Sequence, residues 1–185
     1  SGEVPSSPTQ AQQQMSFDPR QLGARCDECP LAGGKPVPSK PSSHPRLVVL
    51  AESPGETETE RGEPLVGETG MLFEDMLHYL GIPVEHVYKM NTIACLPHHL
   101  DTAEYHRAAA CCRPRMLTEL AAVRPQLERP TILAYGNWAV QATIGGARAA
   151  DWFGPPVDVP ELGYQVIASY HPSFVLRNRS PNYKM

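Results

Sequence analysis

The chain has no apolar run approaching the ~20 residues of a membrane span, and no signal-peptide core at its start. Both absences predict a cytoplasmic protein. It has no basic excess: the formal net charge is −4, which argues against a generally sticky cationic surface and leaves room only for local binding of polyanions. It has no internal repeat. Its cysteines do not come in an even number. Five cysteines without a secretion signal argue against a disulfide framework. That leaves a metal or cluster site, a redox pair, or buried inert thiols.

What is present fits one domain. The chain has 185 residues, 41% of them apolar, so it can build a core. Residues 1–19 are rich in Ser, Pro and Gln and read as a disordered tail; residues 20–185 read as the domain. Cys26-Asp27-Glu28-Cys29 closes a short helical turn, and residues 32–45 form a Pro-, Gly- and Ser-rich loop. Leu47–Ala51 is apolar throughout, as a strand covered on both faces requires. It empties into Glu52-Ser53-Pro54-Gly55 and a glycine-spaced loop reaching Gly70. Met71, Leu72, Met76, Leu77 and Leu80 predict the apolar stripe of a helix over 70–80, ended by Gly81. Strands are expected at 87–93, 131–135 and 164–169, with helices at 102–123 and 137–144 and a loop over 145–160. This order predicts a parallel four-stranded sheet with right-handed crossovers. The strands end at Glu52, Asn91, Gly136-Asn137 and His171, so those residues share the carboxyl edge where open α/β sheets bind ligands.

Cys111 and Cys112 are adjacent on one helix and point about 100° apart. Cys112 falls in line with Ala108, Met116, Leu120 and Val123; Cys111 falls in line with Arg107, Arg115 and Thr118, the polar side. The four candidate ligands are therefore Cys26, Cys29, Cys95 and Cys112, with Cys111 the runner-up. Four thiolates suit structural zinc or an iron–sulfur cluster equally by spacing. From His171 onward there are three Lys/Arg and no acid, interleaved with apolar and aromatic residues, a pattern suited to a loop pressed on a nucleic-acid backbone. A different reading takes Glu56, Glu58 and Glu60 as metal ligands of a small-molecule enzyme.

Read together and in order, these pieces resemble the family 4 uracil-DNA glycosylases: Cys26-x-x-Cys29-Pro30-Leu31, AESPGETETERGEPLVGETGMLFEDML, Asn91-x-x-x-Cys95, Ala110-Cys111-Cys112-Arg113-Pro114 and Tyr170-His171-Pro172-Ser173-x-x-Leu176-Arg177. The resemblance implies a three-layer αβα sandwich, a [4Fe-4S] cluster rather than zinc, DNA as partner, and a monomer. It implies that Glu52 orients water or stabilises the sugar cation and that His171 donates to the base oxygen. Asn91 would read the base edge, with Ser53 and Leu65 in the base pocket. Ser173, Leu176 and Arg177 would contact DNA. No Lys sits at a matching position for a Schiff base, which implies a monofunctional glycosylase. The chain departs from the family pattern at Ser53, where Gly or Ala is usual, and at Leu65, where Phe stacks on the base. These departures raise two further readings: excision of a related modified base, and a weak or inactive DNA-binding module within a larger protein. His98 and His99 stand where a covalent-capture variant carries a reactive His, but without that variant's basic motif.

Overall fold

The computed structural model describes residues 16–146 and 148–178. Its centre is a sheet of five strands in the order β2-β1-β3-β5-β4. Strands β1 (Leu47–Ala51), β2 (Val87–Asn91), β3 (Thr131–Tyr135) and β5 (Tyr164–Ser169) are parallel. The fifth, β4 (Val157–Val159), pairs antiparallel with β5 at the edge, inside the stretch expected to be loop. The parallel four-strand expectation therefore gains an antiparallel strand. Three residues cannot display a readable alternation, and only Val159 of the three is buried.

Alternation along β1 divides the core. Val48 and Leu50 face α3 (Thr102–Val123) and α4 (Gly136–Thr143), where Met116, Leu120, Ala139 and Val140 pack. Val49 and Ala51 face α2 (Gly67–Tyr79) through Phe73 and Leu77. Helices thus cover both faces, giving three layers. The stripe assigned to α2 needs correction. Its buried residues are Gly70, Phe73 and Leu77, at helical i, i+3, i+7 spacing, whereas Met71, Met76 and Leu80 are exposed. No described helix is long and apolar enough to cross a membrane.

Helix α3 starts at a capping box: Asp101 accepts from the Glu104 amide at 2.8 Å and Glu104 accepts from the Asp101 amide at 3.0 Å. Pro114 lies inside it and deprives the Ala110 carbonyl of its intrahelical donor. Arg25 uses this opening, its guanidinium donating to Ala110 O at 3.4 Å and its amide to Cys111 O at 3.0 Å. Gly23, at φ +94°, packs against the Pro114 ring. The segment with Cys26 and Cys29 is docked on α3 in this way. The Pro-rich loop beyond it is pinned along the outer edge of β2, where Val37 N donates to Ala94 O and Lys40 pairs with Lys89.

The expected polar side of α3 holds only in part: Arg107 and Thr118 are exposed, but two residues of that side are not. Arg115 is 1% exposed and Cys111 is buried. Arg115 donates to Asn91 O at 2.7 Å, Thr92 O at 2.8 Å and Glu119 Oε1 at 3.1 Å. Tyr88 OH donates to the other Glu119 oxygen at 3.0 Å. Removing one partner of a buried, hydrogen-bonded ion pair leaves the other uncompensated. Arg115→Ala is expected to cost about 3–5 kcal/mol, measured as a lowered urea midpoint; a loss below about 1 kcal/mol, the scale of an exposed pair, would contradict this account of the clamp.

Candidate base pocket and cysteine cavity

The carboxyl edge of the sheet opens into a cavity of about 260 Å³. Glu52, Ser53, Leu65, Asn91, His171 and Ser173 all line it, from four separate parts of the chain. Leu176 and Arg177 do not line it; they lie further along α5 (Pro172–Arg177), which starts at its rim. Arg179 and Lys184 of the basic cluster fall outside the described residues. His98 and His99 sit in the turn after Cys95, and the cavity wall there is Leu96 and Pro97 instead.

Glu52 leaves β1 and reaches under the N-terminus of α4. Its Oε1 accepts from the Trp138 amide at 3.1 Å, and the Asn137 amide also bonds the carboxylate. Gly136 makes this possible. It has φ +85°, and a Cβ there would stand 2.3 Å from Glu52 Oε1. Burial raises the pKa of Glu52, and the two amides and Arg177 offset only part of that. Two neighbours went unnoticed in the sequence. The Tyr105 ring stacks on Trp138 at 4.0 Å between centroids, and its buried hydroxyl faces Ser53 and Glu52 without a well-formed hydrogen bond. Glu58 stands in the stretch expected to be loop, yet residues 56–61 form helix α1 (Glu56–Arg61). The Glu58 carboxylate accepts from the Gly55 amide at 3.1 Å and the Val66 amide at 3.2 Å, tying both halves of the loop together.

His171 is half-buried, and the loss of solvent together with nearby Arg177 lowers its pKa to about 4. The Ser173 amide donates to Nδ1 at 3.1 Å. An amide can only donate, so Nδ1 is the acceptor and the neutral ring carries its proton on Nε2. Leu65 has φ +53°, rare for a non-glycine residue, and is 4% exposed. It packs with Ala51, Phe73 and Tyr135 while closing the pocket, so that wall is aliphatic.

All five cysteines line a second cavity of about 390 Å³, between the docked N-terminal segment, the segment after β2 and α3. Among the described residues no three His, Cys, Asp or Glu side chains converge tightly enough for a single metal ion. Zn–S bonds of about 2.3 Å in a tetrahedron would bring the sulfurs to roughly 3.8 Å. Thiols gathered around one cavity offer a donor set for structural zinc or for an iron–sulfur cluster. Burial drives the Cys95 thiol up to about 12, with Cys112, Cys26 and Cys29 adding to the shift. Cys112 also raises Cys26 and Cys29, whereas Cys111 acts on Cys29 alone.

The family model described as "Uracil DNA glycosylase superfamily" matches residues 38–185. The chain belongs to that superfamily. Within it the type-4 branch is the match: a Type-4 uracil-DNA glycosylase of Thermotoga maritima is 32% identical over 84% of this chain and 80% of its own length. Enzymes of the same name from Pyrobaculum aerophilum and Archaeoglobus fulgidus are each 30% identical, over 85% and 82% of this chain and 82% and 78% of their own lengths. The superfamily match spans all the strands and the base pocket but begins after Cys26 and Cys29.

The raised pKa of Glu52 has a signed consequence. An acid whose folded pKa lies above its unfolded value stabilises the fold at low pH, and that contribution is lost as pH rises through the folded value. Glu52→Gln keeps an acceptor for α4 but cannot ionise. Its stability relative to the parent chain is expected to grow with pH above the ordinary value of 4.5 and to level off once Glu52 is ionised in the fold. Urea titrations at a series of pH values measure this difference, and a difference that shrinks with rising pH would contradict it.

Proposed function

We propose that the protein removes uracil from DNA by hydrolysing its N-glycosidic bond. The observation that carries this reading is the convergence of Glu52, Asn91 and His171, from three strand ends, on one pocket. Family membership and the relatives' names support it, and favour catalysis over an inactive module.

The base must leave the stack before its bond can be reached. Once in the pocket, it meets Asn91, whose amide can donate to O4 and accept from N3–H of uracil. Cytosine presents the opposite pattern at those two atoms. As the C1′–N1 bond breaks, its electron pair moves onto the base and positive character develops on the sugar. Neutral His171 donates from Nε2–H to the base oxygen that gains charge. Glu52, ionised, opposes the sugar cation and orients the water that adds to C1′. Ser173 lines the pocket, and Leu176 and Arg177 follow it along α5 for contact with the DNA backbone. No lysine lines the pocket among the described residues, which favours hydrolysis without a Schiff base.

The cysteine cavity fits a [4Fe-4S] cluster on Cys26, Cys29, Cys95 and Cys112, a cofactor consistent with the type-4 relatives. When bound, the cluster supplies a cross-link between the N-terminal segment and α3. The Ala94 amide lies 3.5 Å from Cys112 Sγ, which sets that sulfur beside the segment carrying Cys95 and supports it over Cys111.

Uracil release from an oligonucleotide is expected to fall about 10²–10³-fold in His171→Ala, the scale of losing a donor to a developing anion. Asn91→Ala should likewise impair it, and Asn91→Asp should shift preference toward cytosine. Full activity in both alanine variants would overturn the site. Anaerobically purified protein is expected to be brown with about four iron per chain. Cys112→Ser should lose the iron and Cys111→Ser should keep it. A colourless, zinc-bound protein would overturn the cluster.

A further inference from the structure

The aromatic residues beside His171 are not absorbed by the pocket. Residue 171 is in extended backbone, so neighbouring side chains leave on opposite sides. His171 turns into the pocket and Tyr170 turns out. Tyr170 is 46% exposed and Phe174, one turn along α5, is 43% exposed. Their rings are stacked, 4.7 Å apart and 13° from parallel. Phe153, 38% exposed, meets Tyr170 edge-on at 4.5 Å. Three large rings left in solvent, already stacked and buttressed, have large open faces that intramolecular packing does not use.

We propose that Tyr170, Phe174 and Phe153 form a stacking platform for unpaired nucleotides of the strand that carries the extruded base, so that the enzyme favours single-stranded substrate. This rests on the uracil-excision reading and deepens it by naming the form of DNA. Three features select this occupant. The platform is continuous with the pocket, because Tyr170 and His171 are consecutive. Every base has a π-face, so a stacked aromatic pair accepts neighbouring nucleotides irrespective of sequence. The charge is complementary: Arg177 lies on the same helix, the sequence after Glu161 holds no further Asp or Glu, and at the near rim Arg148 and Asp151 neutralise each other.

The test compares the whole protein with Tyr170→Leu/Phe174→Leu, which keeps apolar bulk at both sites but removes the rings. One measurement is fluorescence anisotropy with a labelled thymidine single strand lacking uracil. The other is the ratio of uracil release from single-stranded to duplex oligonucleotides. The double variant is expected to lose roughly 5- to 150-fold in affinity for the single strand, the equivalent of one stacked base, and to lower the single-to-double ratio. Tyr170→Trp/Phe174→Trp should retain both. Unchanged affinity and an unchanged ratio would overturn the platform while leaving the excision reading intact. If the parent chain released no uracil but the leucine variant still lost strand affinity, excision would fail and the platform would stand. A concentration-dependent dimer of the parent chain that the leucine variant abolishes would assign the patch to a second copy and overturn the proposal.

Discussion

One buried guanidinium connects the two cavities. Arg115 rises from the helix that carries Cys111 and Cys112 and grips the carbonyls of Asn91 and Thr92, where β2 ends. Parallel strands leave such terminal carbonyls without a ladder partner, and a buried carbonyl without a donor is costly. Arg115 satisfies two at once, and Glu119 and Tyr88 hold it in place. The direction of Asn91 into the base pocket therefore depends on where α3 sits. The position of α3 depends in turn on the N-terminal segment docked at Pro114. A cluster tying Cys26 and Cys29 to α3 would bear on base recognition through this linkage.

Burial acts oppositely on the two titrating groups of the pocket. It penalises whichever form is charged, so Glu52 holds its proton more tightly and His171 loses its proton more readily. For His171 this is an advantage, since a neutral ring donates from Nε2 across the whole physiological range. For Glu52 it sets a tension between ionisation and burial. The α4 amides relieve part of it, and the same dryness makes the ionised carboxylate a stronger partner for a developing cation. Gly136 is the geometric condition for this arrangement, because any side chain there would occupy the carboxylate's place.

The parallel strands and long α3 were legible because their signals are local: continuous apolar runs in the strands, and Ala108, Cys112, Met116, Leu120 and Val123 in line along the helix. The strand-end site was legible for the same reason, since topology alone brings Glu52, Asn91 and His171 to one edge. What escaped depends on partners distant in sequence. Arg115 reads as surface charge until the β2 carbonyls 23 and 24 residues away are known. Tyr105 gains a role only beside Ser53. Glu58 offers itself as a metal ligand until the Gly55 and Val66 amides that it accepts from are known. The exposed methionines of α2 illustrate the converse error: apolar character was counted without asking which spacing meets the sheet.

Leu65 sets the character of one pocket wall. Its unusual backbone angle is held by packing against Phe73 and Tyr135, so the residue is fixed as wall and not free to lie over a base. An aliphatic wall excludes water but supplies none of the roughly 1–3 kcal/mol that an aromatic face adds per base. Recognition inside then leans on hydrogen bonds at the base edge, which discriminate well but give modest net affinity against water. Aromatic area is abundant a few residues away, outside the pocket, on Tyr170 and Phe174. On the proposed reading the division is physically coherent: specificity would come from the polar edge contacts within, and hold on the strand from stacking at the rim.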